Sequence, residues 1–134
     1  MTNVAMSRPL RLILLADAAA SGATAALLVA GAGLLERLLG LPVALMREAG
    51  LLLIPYVIFV VFVAARPSVA VAAVNAIIVI NAAWTAASVL LLASGSVAPT
   101  LLGVAFVLAQ ALAVGAFALI QYVCLRQAER GAIA

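Results

Sequence analysis

Asp17 is the one residue in this chain whose side chain demands a chemical partner. It sits within an otherwise apolar run, between Leu12-Ile-Leu-Leu-Ala and Ala18-Ala-Ala. A carboxylate at bilayer depth costs on the order of 3 kcal/mol even on the lenient insertion scale, so it is expected to face protein rather than lipid. Helical spacing puts Ser21 and Thr24 on its face, at i+4 and i+7. The other polar residues inside apolar stretches are neutral, and each offers a hydroxyl or an amide. The expected polar centre is therefore Asp17, Ser21, Tyr56, Asn81, Thr85 and Gln110. Two kinds of chemistry suit such a centre. One is interhelical hydrogen bonding, worth about 0.6 kcal/mol per bond in a membrane. The other is reversible protonation of Asp17 in a transport path.

The spacing of these residues repeats. A shift of 64 positions lays Asp17–Gly31 over Asn81–Gly95, with six of fifteen residues identical and Asp17/Asn81, Ser21/Thr85 and Thr24/Ser88 chemically matched. Two helical hairpins of the same orientation, related by an axis along the membrane normal, would produce this pattern and set the two segments across the bundle centre. Close contact of helices through small hydroxylated residues would produce it too. On the last apolar stretch, Gly103, Gln110, Phe117 and Gln121 fall within one narrow arc, since steps of seven and eleven residues nearly close whole turns.

Other chemistry lacks its residues. The chain has no histidine, which removes the commonest general base and transition-metal ligand. A single cysteine, Cys124, closes neither an intramolecular disulfide nor a cysteine-based metal site, and a free structural thiol is its expected state. P-loop, dinucleotide, HExxH and GxSxG patterns are absent. Neither an enzyme nor a bound cofactor is expected. The seven basic residues are all arginines at segment ends, so the net charge of +3 describes topology rather than a nucleic-acid-binding face.

The elements that carry these residues follow from composition. Of 134 residues, 69% are hydrophobic and only 8% charged, where a soluble domain has about 25% charged. The mean hydropathy is +1.40. Such a chain takes lipid as its solvent, and its spans must be helical because bare backbone finds no water there. The expected architecture is all-α, a four-helix transmembrane bundle forming a single domain, with spans at about 10–35, 49–65, 68–93 and 99–125. Ser7 and Pro9 suit the start of the first span. Pro55 should bend the second or free a carbonyl. Gly40-Leu41-Pro42 breaks the connecting loop, and Pro42–Met46 is expected in the interface plane. Ala16-Asp17-Ala18 has the look of a signal cleavage site. The apolar region before it is shorter than the usual ~7–15 residues, so the first segment is retained as a span. Trp84, the only tryptophan, lies mid-span and is expected to pack within the bundle. Arg8, Arg11, Arg66, Arg126 and Arg130 fall on one side and Arg37 and Arg47 on the other, which predicts both termini in the cytoplasm and a multi-pass protein of the inner (cytoplasmic) membrane.

With the Asp17 helix, the Asn81-Ala-Ala-Trp84 run and Leu101-Leu-Gly-Val-Ala-Phe-Val-Leu-Ala-Gln110 in view, the chain resembles a diffuse group of small, uncharacterised four-span bacterial integral membrane proteins. That resemblance covers nearly the full length and implies no activity. In architecture alone the chain is similar to small multidrug-resistance exporters, which also carry one acid in the first helix and a tryptophan in the third. They use a glutamate in a different local motif, and the arginine bias here favours one fixed orientation. The leading expectation is a non-enzymatic accessory or scaffold subunit, packing in a larger membrane complex or with itself. The alternative is a small solute or proton-coupled transporter with Asp17 as its protonation switch. The lipid bilayer is the expected partner in either case, and nucleic acid is not.

Overall fold

Ser7 starts the first helix as its sequence predicts. Its hydroxyl oxygen accepts the Leu10 N–H at 3.3 Å, and Pro9 occupies the first turn of α1 (Arg8–Ala30). A computed structural model describes residues 2–133 of the chain. After α1 come α2 (Ala32–Leu39), α3 (Val43–Ala64), α4 (Val71–Ser94) and α5 (Leu101–Ile133), together with two short strands, β1 (Asn3–Ala5) and β2 (Ser68–Ala70). Four of the helices, α1, α3, α4 and α5, are long and apolar enough to cross a membrane. The protein is an all-α, multi-pass membrane protein. At 33 residues α5 is about 50 Å long, so its arginine-bearing end outruns a hydrocarbon layer of about 30 Å.

The spans form a ring. α1 packs along α3 and against α5, and α5 packs along α4, while α3 and α4 touch only sparsely. α1 and α4 therefore stand diagonally across the centre. Gly50 permits the close α1–α3 approach, since a Cβ there would lie 2.8 Å from Val29 Cγ2 and 3.1 Å from the Ala25 carbonyl oxygen. Many outward side chains are large and apolar, among them Leu52, Ile58, Leu90 and Leu112. In a soluble protein such a surface would aggregate; here it is the face that lipid wets.

Several boundaries differ from those read off the sequence. The first helix stops at Ala30, and Leu34 and Leu35 belong to the separate helix α2 after Gly31. That short helix buries Ala32 and Leu39, exposes Glu36 and Arg37, and packs on α3 and α5. Pro42–Met46 is the cap and first turn of α3 rather than a separate segment. Pro42 caps α3, whose helix begins at Val43, and Glu36 reaches over to accept the Val43 N–H at 3.3 Å. A carboxylate at a helix N-terminus is favourably placed against the helix dipole. Pro99 precedes α5 without opening it; Thr100 does so, its hydroxyl oxygen accepting the Gly103 N–H at 3.1 Å.

The strands have no counterpart in the sequence reading. β1 pairs antiparallel with β2, with Val4 opposite Val69, and both of these valines are buried against Leu10, Val63 and Leu125. Arg11 joins the same end of the bundle. Its guanidinium donates to the carbonyls of Ala64 (3.0 Å) and Arg66 (3.3 Å), satisfying backbone groups that the end of α3 leaves open.

Candidate functional site

Asp17 lies about 14 Å along α1 from its start, near mid-depth, and has no solvent-exposed surface. All four spans supply hydrogen-bond partners to it. Ser21, one turn along α1, donates its hydroxyl to Oδ1 at 3.0 Å. The other carboxylate oxygen, Oδ2, accepts from Asn81 Nδ2 on α4 at 2.8 Å and from Gln121 Nε2 on α5 at 2.7 Å. Tyr56 of α3 places its hydroxyl 2.7 Å from the same oxygen. None of these partners is charged. A second tier locks the first. Asn81 Nδ2 also donates to Gln121 Oε1 at 3.0 Å, and Thr85 donates to the Asn81 carbonyl at 3.0 Å. Among the described residues no buried side-chain polar atom lacks a partner.

The count of hydrogens gives this cluster its chemistry. The Tyr56 hydroxyl stands 2.7 Å from Asp17 Oδ2 and 2.9 Å from Asn81 Oδ1, so two acceptors face one hydrogen. When Asp17 is ionised, Tyr56 serves one of them and leaves the other oxygen pair without a hydrogen. One added proton closes the network: Asp17 donates to Tyr56, and Tyr56 donates on to Asn81. The cage thus has a hydrogen-bonding arrangement for both forms of the acid, and adding the proton turns the Tyr56 hydroxyl hydrogen from Asp17 to Asn81.

The structure brings together Asp17, Ser21, Tyr56 and Asn81, with Thr85 as their backbone anchor. Gln110 is not among them. It builds a second cluster nearer the α2 end, where Trp84 Nε1 donates to Gln110 Oε1 at 2.8 Å and Gln110 Nε2 donates to Ser88 Oγ and the Val107 carbonyl, each at 2.9 Å. Its place beside Asp17 belongs to Gln121, which is fully buried. Gln121 is on the same helical arc as Gln110, so the arc was a usable signal for it. Cys124 is a buried free thiol, and Asn75 is exposed.

Where α3 and α4 part, two cavities open. One, of about 360 Å³, is lined by Leu45, Glu48, Leu52, Trp84, Ser88 and Gln110 among others. The other, about 390 Å³, lies against Tyr56, Asn81 and Ser21 and shares Leu52 and Trp84 with the first. The two flank Leu52 and Trp84, and their linings run from Glu48 in the first to Tyr56, Asn81 and Ser21, the partners of Asp17, in the second. Among the described residues no cluster of histidine, cysteine and carboxylate side chains could hold a metal ion. Compared with known protein families, curated proteins and solved structures, the chain matches none of them.

Proposed function

We propose that the protein is a small, non-enzymatic membrane carrier that takes a lipophilic guest from the bilayer through the α3–α4 seam, with Asp17 as its protonation switch. The observation that carries this reading is that the acid's own partners line one of the two adjacent cavities in the α3–α4 seam. Tyr56 and Asn81 form the wall of the deeper cavity and also compete for the hydrogen that decides the state of Asp17. A change of protonation must therefore alter a wall that the guest touches. The site offers an acid among neutral donors, without a paired base or nucleophile, which supports binding and proton exchange rather than catalysis.

Access from lipid is testable with the protein's only tryptophan. Trp84 lines both cavities. In nanodiscs of phosphatidylcholine brominated at mid-chain, its fluorescence should be strongly quenched. Ala87→Phe, which adds a ring at the cleft wall, should restore most of the emission. An unquenched wild type would overturn lateral access.

The arginine distribution supports an orientation with both termini and the β1–β2 sheet in the cytoplasm, in an inner membrane. Reporter fusions at the C-terminus should then be active only as cytoplasmic reporters, and those inserted at Ser96 only as external ones. The opposite pattern would reverse the orientation.

A second reading, an accessory subunit in a membrane complex or homo-oligomer, draws support from α4. Only 11% of its most apolar window is buried, against 33% for α1 and α3, and a partner helix could cover the remainder. Native mass spectrometry from source membranes separates the readings. A constant protein partner favours the subunit, and a solitary chain holding a small lipophile favours the carrier.

A further inference from the structure

The cavity beside Glu48 and Gln110 has spent all of its own hydrogens. Thr24 donates its hydroxyl to the Ala20 carbonyl and Ser88 donates to the Trp84 carbonyl, each at 2.8 Å. The indole N–H of Trp84 is held by Gln110 Oε1, and both amide hydrogens of Gln110 go to Ser88 and Val107. What the polar lining residues have left to offer is lone pairs: those of Thr24 Oγ1, one on Ser88 Oγ, the second on Gln110 Oε1, and the carboxylate of the exposed Glu48. No arginine lines it. The remaining wall is apolar, with Leu28, Leu52 and Phe106 among its residues.

A guest that only accepts hydrogen bonds would meet acceptors alone in this wall and would lose its own hydration without compensation. We infer that the site selects a single-chain lipophile whose head group donates hydrogen bonds, a hydroxyl or an ammonium, with the head against Gln110 and Ser88 and the chain along the cleft. This inference rests on the carrier reading above for the existence of the cleft site, and adds the polarity of its guest. Glu48 distinguishes the two sources of that chemistry, because its negative charge attracts an ammonium and is indifferent to an alcohol.

The test uses the full chain in nanodiscs with three probes of equal chain: dodecylamine, dodecanol and methyl dodecyl ether. Binding is read by Trp84 emission and by native mass spectrometry. At least one donor probe should bind about tenfold more tightly than the ether, the worth of one or two hydrogen bonds. Glu48→Gln, a change at an exposed position, should weaken the amine several-fold and leave the alcohol unchanged. Equal amine binding by this variant would remove Glu48 from recognition. If the ether binds as well as both donors, the donor rule is overturned while the cleft stands. If no probe binds, the carrier reading itself fails.

Discussion

Asp17→Ala should destabilise the bundle by about 2–4 kcal/mol, whereas Asp17→Asn should stay within about 1 kcal/mol of the wild type. The alanine variant removes the common acceptor of three interhelical contacts, from Tyr56, Asn81 and Gln121. At about 0.6 kcal/mol for each interhelical bond in a membrane, the contacts alone account for roughly 2 kcal/mol. The donors left behind add to this, since Gln121 is fully buried and Asn81 nearly so, and an orphaned buried donor costs about 1–3 kcal/mol. Asparagine keeps an oxygen at the Oδ2 position and turns its amide toward Ser21, whose hydroxyl can accept. Thermal unfolding in mild detergent, followed by Trp84 emission, measures both variants. An alanine variant as stable as the wild type would mean that the four spans are held by apolar packing alone. The two substitutions also separate structure from switching, because the asparagine variant folds but cannot exchange the proton. In the carrier reading it binds guest but supports no proton-coupled flux in proteoliposomes.

All of this centre except Gln121 could be read from the chain, and the division has a physical cause. Asp17, Ser21, Tyr56 and Asn81 were legible because a polar side chain in an apolar span must turn inward, and helical periodicity identifies the inward face. Periodicity gives the face but not the depth. Gln110 and Gln121 share one arc of α5 yet lie eleven residues apart, about 16 Å along the axis. Which of them meets Asp17 depends on how far α5 slides against α1, and that is decided by loop lengths and end contacts. Gln121 also stands only four residues before the expected end of its span, where a polar residue needs no partner but water. Similar limits apply to the small elements. α2 reads as more of the first span because Leu34 and Leu35 continue its apolar run, and only Gly31 marks the break. Strands as short as Asn3–Ala5 and Ser68–Ala70 carry too few residues for alternation to register. The sheet exists because Val4 and Val69 need cover at the open end of the bundle, a tertiary cause.

The end contacts that set the depth of α5 make Gly103 the other position of large expected effect. Here α5 begins against the last turn of α2 and the loop after it, backbone on backbone. The Thr100 N–H donates to the Leu39 carbonyl at 2.9 Å, and the Thr100 hydroxyl donates to the Leu38 carbonyl at 2.7 Å. Both are carbonyls that the end of α2 leaves unpaired. Gly40 completes the turn at φ 69°, a left-handed conformation suited to glycine. A Cβ on Gly103 would run into the Leu39 carbonyl oxygen, and would lie 2.9 Å from both the Leu39 carbonyl carbon and Pro99 Cβ. Because these are backbone and ring atoms, no rotamer change relieves the overlap, and α5 must move away from α2. Gly103→Ala should therefore cost about 3 kcal/mol, at the upper end for overpacking. Gly33→Ala is the matched control: it meets nothing within 4 Å and replaces a helical glycine, so it should be neutral or stabilising by up to about 1 kcal/mol. Unfolding followed by Trp84 emission reads both. Phe106 and Val107, the next turn of α5, line the cavity beside Glu48 and Gln110, so the displacement also reaches the guest site. Dodecanol binding should weaken in Gly103→Ala even at temperatures where the variant is fully folded. Intact binding with lowered stability would show that the cleft is positioned by the Trp84–Gln110–Ser88 cluster rather than by the clamp on α2.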